Sequence, residues 1–292
     1  MRHLLAIRDL AADELHTILG LSSGRPNVLA TGEGVALYFE KPSARTRNSM
    51  EIAAAQLALH AVYLQPAELG IGTRESVEDV TRTLACYHRI IAARVFDHQL
   101  LEQMAAVGAA PVLNMLSGSD HPLQALADLK TIDDLCGRIE GVKIAFVGDG
   151  SNNVARSLAE GCAKLGASLT IAAPAGFTLE DAPASVTQTD DPVAAVTGAD
   201  IVYTDAWVSM GQEGEAQARR AAFAPYQVNE ALMANAPGAW FMHCLPAHRG
   251  EEVTAGVIDG PRSAVWRQAT NRMHTARGAM LWLLNIPGEE EA

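Results

Sequence analysis

Short apolar runs alternate along the chain with longer stretches whose apolar positions recur every three or four residues. Residues 35–39, Val-Ala-Leu-Tyr-Phe, are too short for a helix and read as a buried strand. Residues 46–59 then place Met50, Ala53, Ala54 and Leu57 on one face of a predicted helix. The same alternation continues with strands at 61–64, 90–95 and 111–115 and helices at 77–87, 99–107 and 121–135. A second set begins after Gly141, with strands at 143–147, 168–172, 199–204 and 239–243 and a helix at 154–165. Strand–helix alternation of this kind predicts α/β architecture, with parallel sheets covered by helices on both faces.

The last stretch, 265–284, has a helical pattern with Met273, Met280, Leu281, Trp282, Leu283 and Leu284, and so must bury an apolar face. Residues 173–191 and 211–224 carry little periodicity and read as loops. The long helix at 121–135 is the expected hinge, near Leu129–Leu135. No internal repeat or low-complexity segment interrupts the pattern.

A length of 292 residues exceeds what one core usually serves, so two domains are expected. The net charge of −12 argues against a general nucleic-acid binder. An acidic chain can still hold an anion, but only where arginines and backbone N–H groups gather. Cys86, Cys136, Cys162 and Cys244 lack paired spacing and fit reduced thiols rather than a disulfide framework. The start, Met1-Arg2-His3-Leu4-Leu5-Ala6-Ile7-Arg8, has no signal-peptide core, and no apolar run reaches membrane-spanning length. A cytoplasmic protein without membrane or nucleic-acid partners is the expectation.

Five loops carry candidate chemistry. Lys41-Pro42-Ser43-Ala44-Arg45-Thr46-Arg47 joins a strand to a helix. Free N–H groups, hydroxyls and a guanidinium fork at a helix start suit an anion, and an ordinary capped helix fits nearly as well. Arg45 and Arg47 do not share a helix face, so one is expected at the ligand and the other paired elsewhere. His121-Pro122-Leu123-Gln124 opens a helix with His121 and Gln124 on one face, able to hold a carbonyl oxygen and an amide. Taken alone, a capping His and a solvated Gln explain it better.

Gly148-Asp149-Gly150-Ser151-Asn152-Asn153 follows a strand but does not match the dinucleotide-binding glycine pattern, which weakens a dehydrogenase reading. Asp205-Ala206-Trp207-Val208-Ser209-Met210-Gly211 puts a carboxylate where open α/β sheets place ligands, or merely ends the strand with an Asx-turn. His243-Cys244-Leu245-Pro246-Ala247-His248 offers a thiol that is either a titratable group or a small buried hydrophobe. A zinc site from His243, Cys244 and His248 has poor spacing, and no metal is expected.

In this order, Ser-x-Arg-Thr-Arg, His-Pro-x-Gln, Asp-x-Trp-x-Ser-Met-Gly and His-Cys-Leu-Pro-Ala resemble the motif series of the aspartate/ornithine carbamoyltransferase family. The last two resemble its ornithine branch, and the likeness runs from Arg2-His3 to Asn271-Arg272. The resemblance implies a carbamoyl phosphate domain over 1–130 joined by a C-terminal helix at 269–292, and an ornithine domain over 131–268. It also implies a homotrimer, with assembly beyond the trimer left open, and a neighbour's loop around Leu69–Glu75 reaching the site.

By the same resemblance, Ser43, Ala44 (through its backbone N–H), Arg45, Thr46 and Arg94 bind carbamoyl phosphate, with His121, Gln124 and Arg272 at its carbamoyl group. Asn153, Asp205, Ser209 and Met210 bind ornithine, and Cys244 and Leu245 bracket its δ-amine. Arg45, His121, Asp205, Cys244 and Arg272 are the implied catalytic set, with no cofactor. The implied reaction is attack of the δ-amine on the carbamoyl carbon, giving citrulline and phosphate. Ala44 departs from the family pattern, which has Thr there, and so removes one hydroxyl donor. The readings that compete are a carbamoyltransferase for putrescine or an N-acylornithine, a nucleotide-binding oxidoreductase, and a non-catalytic binding relative.

Overall fold

The computed structural model describes residues 1–24, 32–208 and 213–287. The chain forms two compact units, one of Met1–Ala127 with Asn271–Ala292 and one of Asp128–Thr270.

In the first unit the elements run α1 (Ala12–Ser23), β1 (Gly34–Phe39), α2 (Ala44–Gln56), β2 (His60–Leu64), α3 (Pro66–Leu69), α4 (Val77–Ala85), β3 (His88–Arg94), α5 (His98–Val107) and β4 (Val112–Leu116). Helix α6 (Pro122–Cys136) starts here and continues into the second unit. The strands form one parallel sheet in the order β2-β1-β3-β4. Ala36 and Tyr38 of β1 pack with Val80 and Leu84 of α4 and Leu101 and Met104 of α5. The alternate residues Val35, Leu37 and Phe39 are buried as well, as are Met50, Ala53 and Ala54 of α2. Both faces are therefore covered, which is what continuous apolar strands require.

The second unit runs β5 (Lys143–Val147), α7 (Asn153–Leu165), β6 (Ser168–Ala172), β7 (Thr187–Thr189), α8 (Pro192–Val196), β8 (Ile201–Thr204), α9 (Ala216–Phe223), α10 (Glu230–Met233), β9 (Trp240–His243), α11 (Ala255–Ile258) and the start of α12 (Val265–Leu283). Its sheet is also parallel, in the order β7-β6-β5-β8-β9. The chain order reverses on either side of β5. The loops after β5 and β8 thus leave adjacent strand ends, the place where open α/β sheets bind ligands.

Both stretches expected as loops contain structure. Residues 173–191 include β7, whose Thr-Gln-Thr sequence lies at the sheet edge and carries no apolar alternation. Residues 211–224 include α9, rich in Ala and Arg, whose helix propensity outweighs its weak apolar face. The N-terminal α1 has no counterpart in the sequence expectations, although it buries Leu15, Ile18 and Leu19. It meets the apolar end of α12. A Cβ on Gly278 would lie 2.7 Å from the Ile18 carbonyl oxygen, so only glycine permits this approach. Arg277 fastens the same contact by donating to the carbonyls of Ser22 and Gly24 and to Gln56 Oε1. Among the described residues, no helix is long and apolar enough to cross a membrane.

Candidate functional site

The first unit gathers cations at the C-terminal end of its sheet. Ser43 caps α2: its Oγ accepts from the Thr46 N–H at 3.4 Å and donates to Thr46 Oγ1 at 3.2 Å. Arg94, buried at the end of β3, donates to the same Thr46 hydroxyl at 3.4 Å. Burial lowers the Arg94 pKa to about 10, helped by the positive charges of Arg272 and Arg45. A guanidinium opposed by two others marks a place that an anion would relieve. Arg47 lies outside this group. It pairs with Glu51 at 2.7 Å and stacks over the Tyr63 ring, while Arg45 is exposed at the helix start. Ala44 is the first residue of α2, with its methyl exposed.

Arg272 of α12 reaches the loop before α6. Its Nη1 stands 3.2 Å from His121 Nε2 and 2.9 Å from Gln124 Oε1. A guanidinium can only donate, so Nε2 accepts and the neutral ring carries its proton on Nδ1. Burial holds the His121 pKa well below the usual range, with Arg272 and Arg94 adding to the effect. The imidazole is therefore neutral at physiological pH. His121 itself is placed by Asp120. That buried carboxylate takes both Nη atoms of Arg8, at 2.7 and 2.9 Å, and the hydroxyl of Ser119. Gly118 packs so closely that a Cβ would meet the Phe96 carbonyl oxygen at 2.7 Å. Sequence reasoning passed over Asp120 and Arg8; the only signal was an acid directly before the His-Pro pair.

The second unit brings together a thiol, a carboxylate and an amide. Asp205 follows β8 and is buried, and its Oδ1 accepts from Cys244 Sγ at 2.9 Å and from its neighbour's N–H, that of Ala206, at 2.7 Å. Its Oδ2 accepts from Asn152 Nδ2 at 3.2 Å. Burial raises the Asp205 pKa against the lowering effects of His243, Cys244 and the Ala206 N–H. Asn152 also caps α7 through the Ala155 N–H at 2.8 Å, which fixes its amide. Sequence reasoning singled out Asn153, the first residue of α7; the neighbouring Asn152 also belongs to this site through its bond to Asp205.

Cys244 is half-buried just beyond β9, and Leu245 after it has φ +59, a left-handed conformation unusual for leucine. The turn is held by His243, whose Nδ1 accepts the Leu245 N–H at 2.8 Å, so that Nε2 carries the proton toward Glu252 Oε1 at 3.2 Å. Burial works to raise the Glu252 pKa. Its bonds from His243 and from the His248 backbone outweigh that and bring it below the usual value. His243 thus has both ring nitrogens engaged. The unexpected zinc trio is not gathered: Asp205, His243 and Cys244 lie together, whereas His248 groups with Glu251 and Glu252.

The loop after β5 is tied to the loop after β8 by Arg219 of α9. Arg219 donates through Nε to the Trp207 carbonyl at 2.6 Å and pairs with the buried Asp149. Phe177 and Phe223 flank its guanidinium at 5.0 and 5.4 Å. Asp149 Oδ1 in turn accepts from the N–H and hydroxyl of Ser151. A Cβ at Gly150 would sit 2.7 Å from Ile171 Cγ2, so this glycine serves close packing rather than a dinucleotide. Nothing in the Arg219 sequence context distinguishes it from a surface arginine.

The structure therefore brings Ser43, Thr46, Arg94, His121, Gln124 and Arg272 into one bonded or charge-coupled set, with Arg45 beside it. It brings Asp205 and Cys244 into another, flanked by Leu245. Ser209 and Met210 lie outside the described residues.

Residues 2–134 match the family model described as the carbamoyl-P binding domain of aspartate/ornithine carbamoyltransferase, and residues 140–283 match its Asp/Orn binding domain. Among curated relatives, the ornithine carbamoyltransferase of Hyperthermus butylicus is 48% identical, with 98% of each chain covered. The one from Bacillus subtilis is 45% identical, over 99% of this chain and 95% of that one. The solved ornithine carbamoyltransferase of Pyrococcus furiosus superposes with a TM-score of 0.91 at 44% identity, covering 96% of both chains. The chain belongs to the aspartate/ornithine carbamoyltransferase family.

Proposed function

We propose that this chain transfers the carbamoyl group of carbamoyl phosphate to the δ-amine of L-ornithine, giving L-citrulline and phosphate. The observation that carries the reading is the clustering of Arg45, Arg94 and Arg272 about Thr46 and His121, where the buried charges of Arg94 and Arg272 and the exposed one of Arg45 oppose one another. Ser43, Thr46, the N–H of Ala44, Arg45 and Arg94 take the phosphate at the start of α2. His121, Gln124 and Arg272 hold the carbamoyl group. As the amine attacks, negative charge develops on the carbonyl oxygen. Arg272, Arg45, Thr46 and the neutral His121 stabilise it as preplaced donors, each typically worth about 10²–10³ in rate.

The amine must lose a proton before it can attack. Asp205 and Cys244 form the polar pair that receives the δ-amine, with Leu245 beside it and Asn153, Ser209 and Met210 at the amino acid's other groups. The burial that raises the Asp205 pKa makes its carboxylate a better proton acceptor than a solvated one. Phosphate leaves as an already stable anion. The family models' domain names support assigning carbamoyl phosphate to the first unit and the amino acid to the second.

The protein acts as a homotrimer in the cytoplasm. The family resemblance supports the trimer, and the exposed loop around residues 69–75 is already stitched on itself, with Gly72 N–H donating to Glu75 O at 2.9 Å. Sedimentation velocity would return a trimer mass, and a monomer would overturn that part. The activity is tested by citrulline formation from carbamoyl phosphate with ornithine, putrescine, N-acetylornithine and aspartate in parallel. Ornithine is expected to be the preferred amine. Preference for another amine, or phosphate-site binding without citrulline, would replace this reading.

A further inference from the structure

Strand β9 is the edge of its sheet, paired on one side with β8 alone. On its open side the backbone bonds are finished piecemeal. The Phe241 N–H donates to the Arg262 carbonyl and the Phe241 carbonyl accepts from Ala264, both at 2.8 Å. At the last residue, His243, no backbone partner among the described residues continues the series. A side chain does so instead: Gln268 Oε1 accepts the His243 N–H at 2.9 Å. That bond lies one residue before Cys244.

The Gln268 amide is itself fixed. Its Nε2 donates to Asp128 Oδ1 at 2.7 Å and to Tyr203 Oη at 3.1 Å. The Tyr203 hydroxyl closes the ring by donating to Asp128 Oδ2 at 3.1 Å. Asp128, Tyr203, His243 and Gln268 are all at most 1% exposed. Asp128 is the first residue of the second unit and Gln268 lies two residues before its end, so the ring ties both chain ends of that unit to β8 and β9. An amide of this kind can be oriented only one way. Its carbonyl must meet an N–H and its NH₂ must meet acceptors, so a flip would place like groups together at both ends. Burial raises the Tyr203 pKa well above the usual range, with Asp128, Cys244 and Asp205 contributing in that order after it. The phenol therefore stays a hydroxyl, and it sits within the electrostatic reach of the thiol and carboxylate described above.

We propose that Gln268, locked by Asp128 and Tyr203, is a positioning residue that sets where the Cys244 thiol stands against Asp205. It touches no reacting atom. It acts by pinning the end of β9, so that the 2.9 Å bond from Cys244 Sγ to Asp205 Oδ1 is the resting arrangement. The proposal rests on the ornithine reading above for its kinetic consequence, but not for its geometric one.

Two variants test it. Gln268→Met removes the amide while keeping its volume. Tyr203→Phe removes one oxygen while keeping the ring that packs on Phe146. Each is expected to lower kcat/KM for ornithine about tenfold, with KM for carbamoyl phosphate within about twofold of the parent. The double variant is expected to be no worse than about the poorer single one, because both break the same ring. The direct readout is alkylation of Cys244 by iodoacetamide, followed by peptide mass spectrometry with the exposed Cys86 as internal reference. Released from its bond to Asp205, Cys244 is expected to react about threefold faster or more.

Folded variants with parent-like ornithine kinetics and parent-like Cys244 alkylation would overturn the proposal, as would equal losses toward both substrates or additive effects. If Gln268→Met does not fold, Tyr203→Phe decides alone. If the parent protein makes no citrulline from ornithine, the functional reading falls and alkylation decides: faster Cys244 labelling in the variants sustains the positioning role, and unchanged labelling ends it.

Discussion

Acid should weaken this protein partly through one residue, His121. Burial and the charges of Arg272 and Arg94 hold its pKa well below 6.5 in the folded state. Unfolding removes all three influences and restores a value of about 6.5. The folded chain then binds fewer protons than the unfolded one below that pH, so stability falls as pH falls. The contribution is fully present above about pH 6.5 and is lost as acidity increases toward the folded pKa. For a ring that stays neutral when folded, going from pH 7.5 to 5.5 costs on the order of 1 kcal/mol. His3 and His88 are also shifted down by burial and share in the total acid loss, so the parent protein alone cannot isolate His121. The difference between the parent and His121→Gln can. Glutamine still offers Arg272 an acceptor but has no proton to gain. In urea unfolding at the two pH values, His121→Gln is expected to lose on the order of 1 kcal/mol less than the parent. Equal losses would show that the imidazole is not kept neutral and would remove the physical basis for its role as a neutral donor.

Three substitutions probe the binding groups directly. Arg45→Ala is expected to lower turnover by about 10² or more with an unchanged melting temperature, since the exposed side chain supports little of the fold; near-normal turnover would remove it from the anion site. Cys244→Ala is expected to weaken ornithine use while carbamoyl phosphate binding, read by equilibrium titration, is retained; unchanged ornithine kinetics would exclude the thiol. Ala44→Thr restores the hydroxyl at the first position of α2 and is expected to tighten carbamoyl phosphate binding by about 0.5–1.5 kcal/mol, the net worth of one hydrogen bond. No change would mean that the backbone N–H suffices.

The apolar periodicity disclosed most strands because both sheets are parallel and covered on two faces, which forces continuous apolar runs such as 35–39 and 143–147. It missed β7 because an exposed edge strand of Thr-Gln-Thr need not be apolar. It missed α9 because that helix buries mainly Phe223 and, against expectation for its type, Arg219. The site was legible where chemistry sits at strand ends in a family-like order, as with His121, Asp205 and Cys244. The groups that hold those residues were not legible. Asp120, Arg219, Gln268 and Asn152 acquire meaning only from partners far away in sequence: Arg8 is 112 residues from Asp120, and Gln268 is 140 from Asp128. Local spacing carries no trace of such pairs.

The arginine cluster has an energetic consequence that separates function from stability. Arg94 is buried beside two like charges, and its pKa falls to about 10 because its charged form is disfavoured there. Its donation to the Thr46 hydroxyl is a long 3.4 Å. Such a residue is kept for what it binds rather than for what it stabilises. Without ligand, Arg94→Met should therefore be about as stable as the parent, because desolvation and repulsion disappear along with the hydrogen bonds. With ligand the order reverses. A phosphate anion relieves the repulsion in the parent, and saturation at 100-fold above Kd adds about 2.7 kcal/mol. The variant lacks that grip and should gain little. Thermal unfolding with and without carbamoyl phosphate reads both terms in one experiment. A variant that is strongly destabilised when unliganded yet keeps the full ligand-induced shift would show that Arg94 is a structural residue and that the anion is held without it.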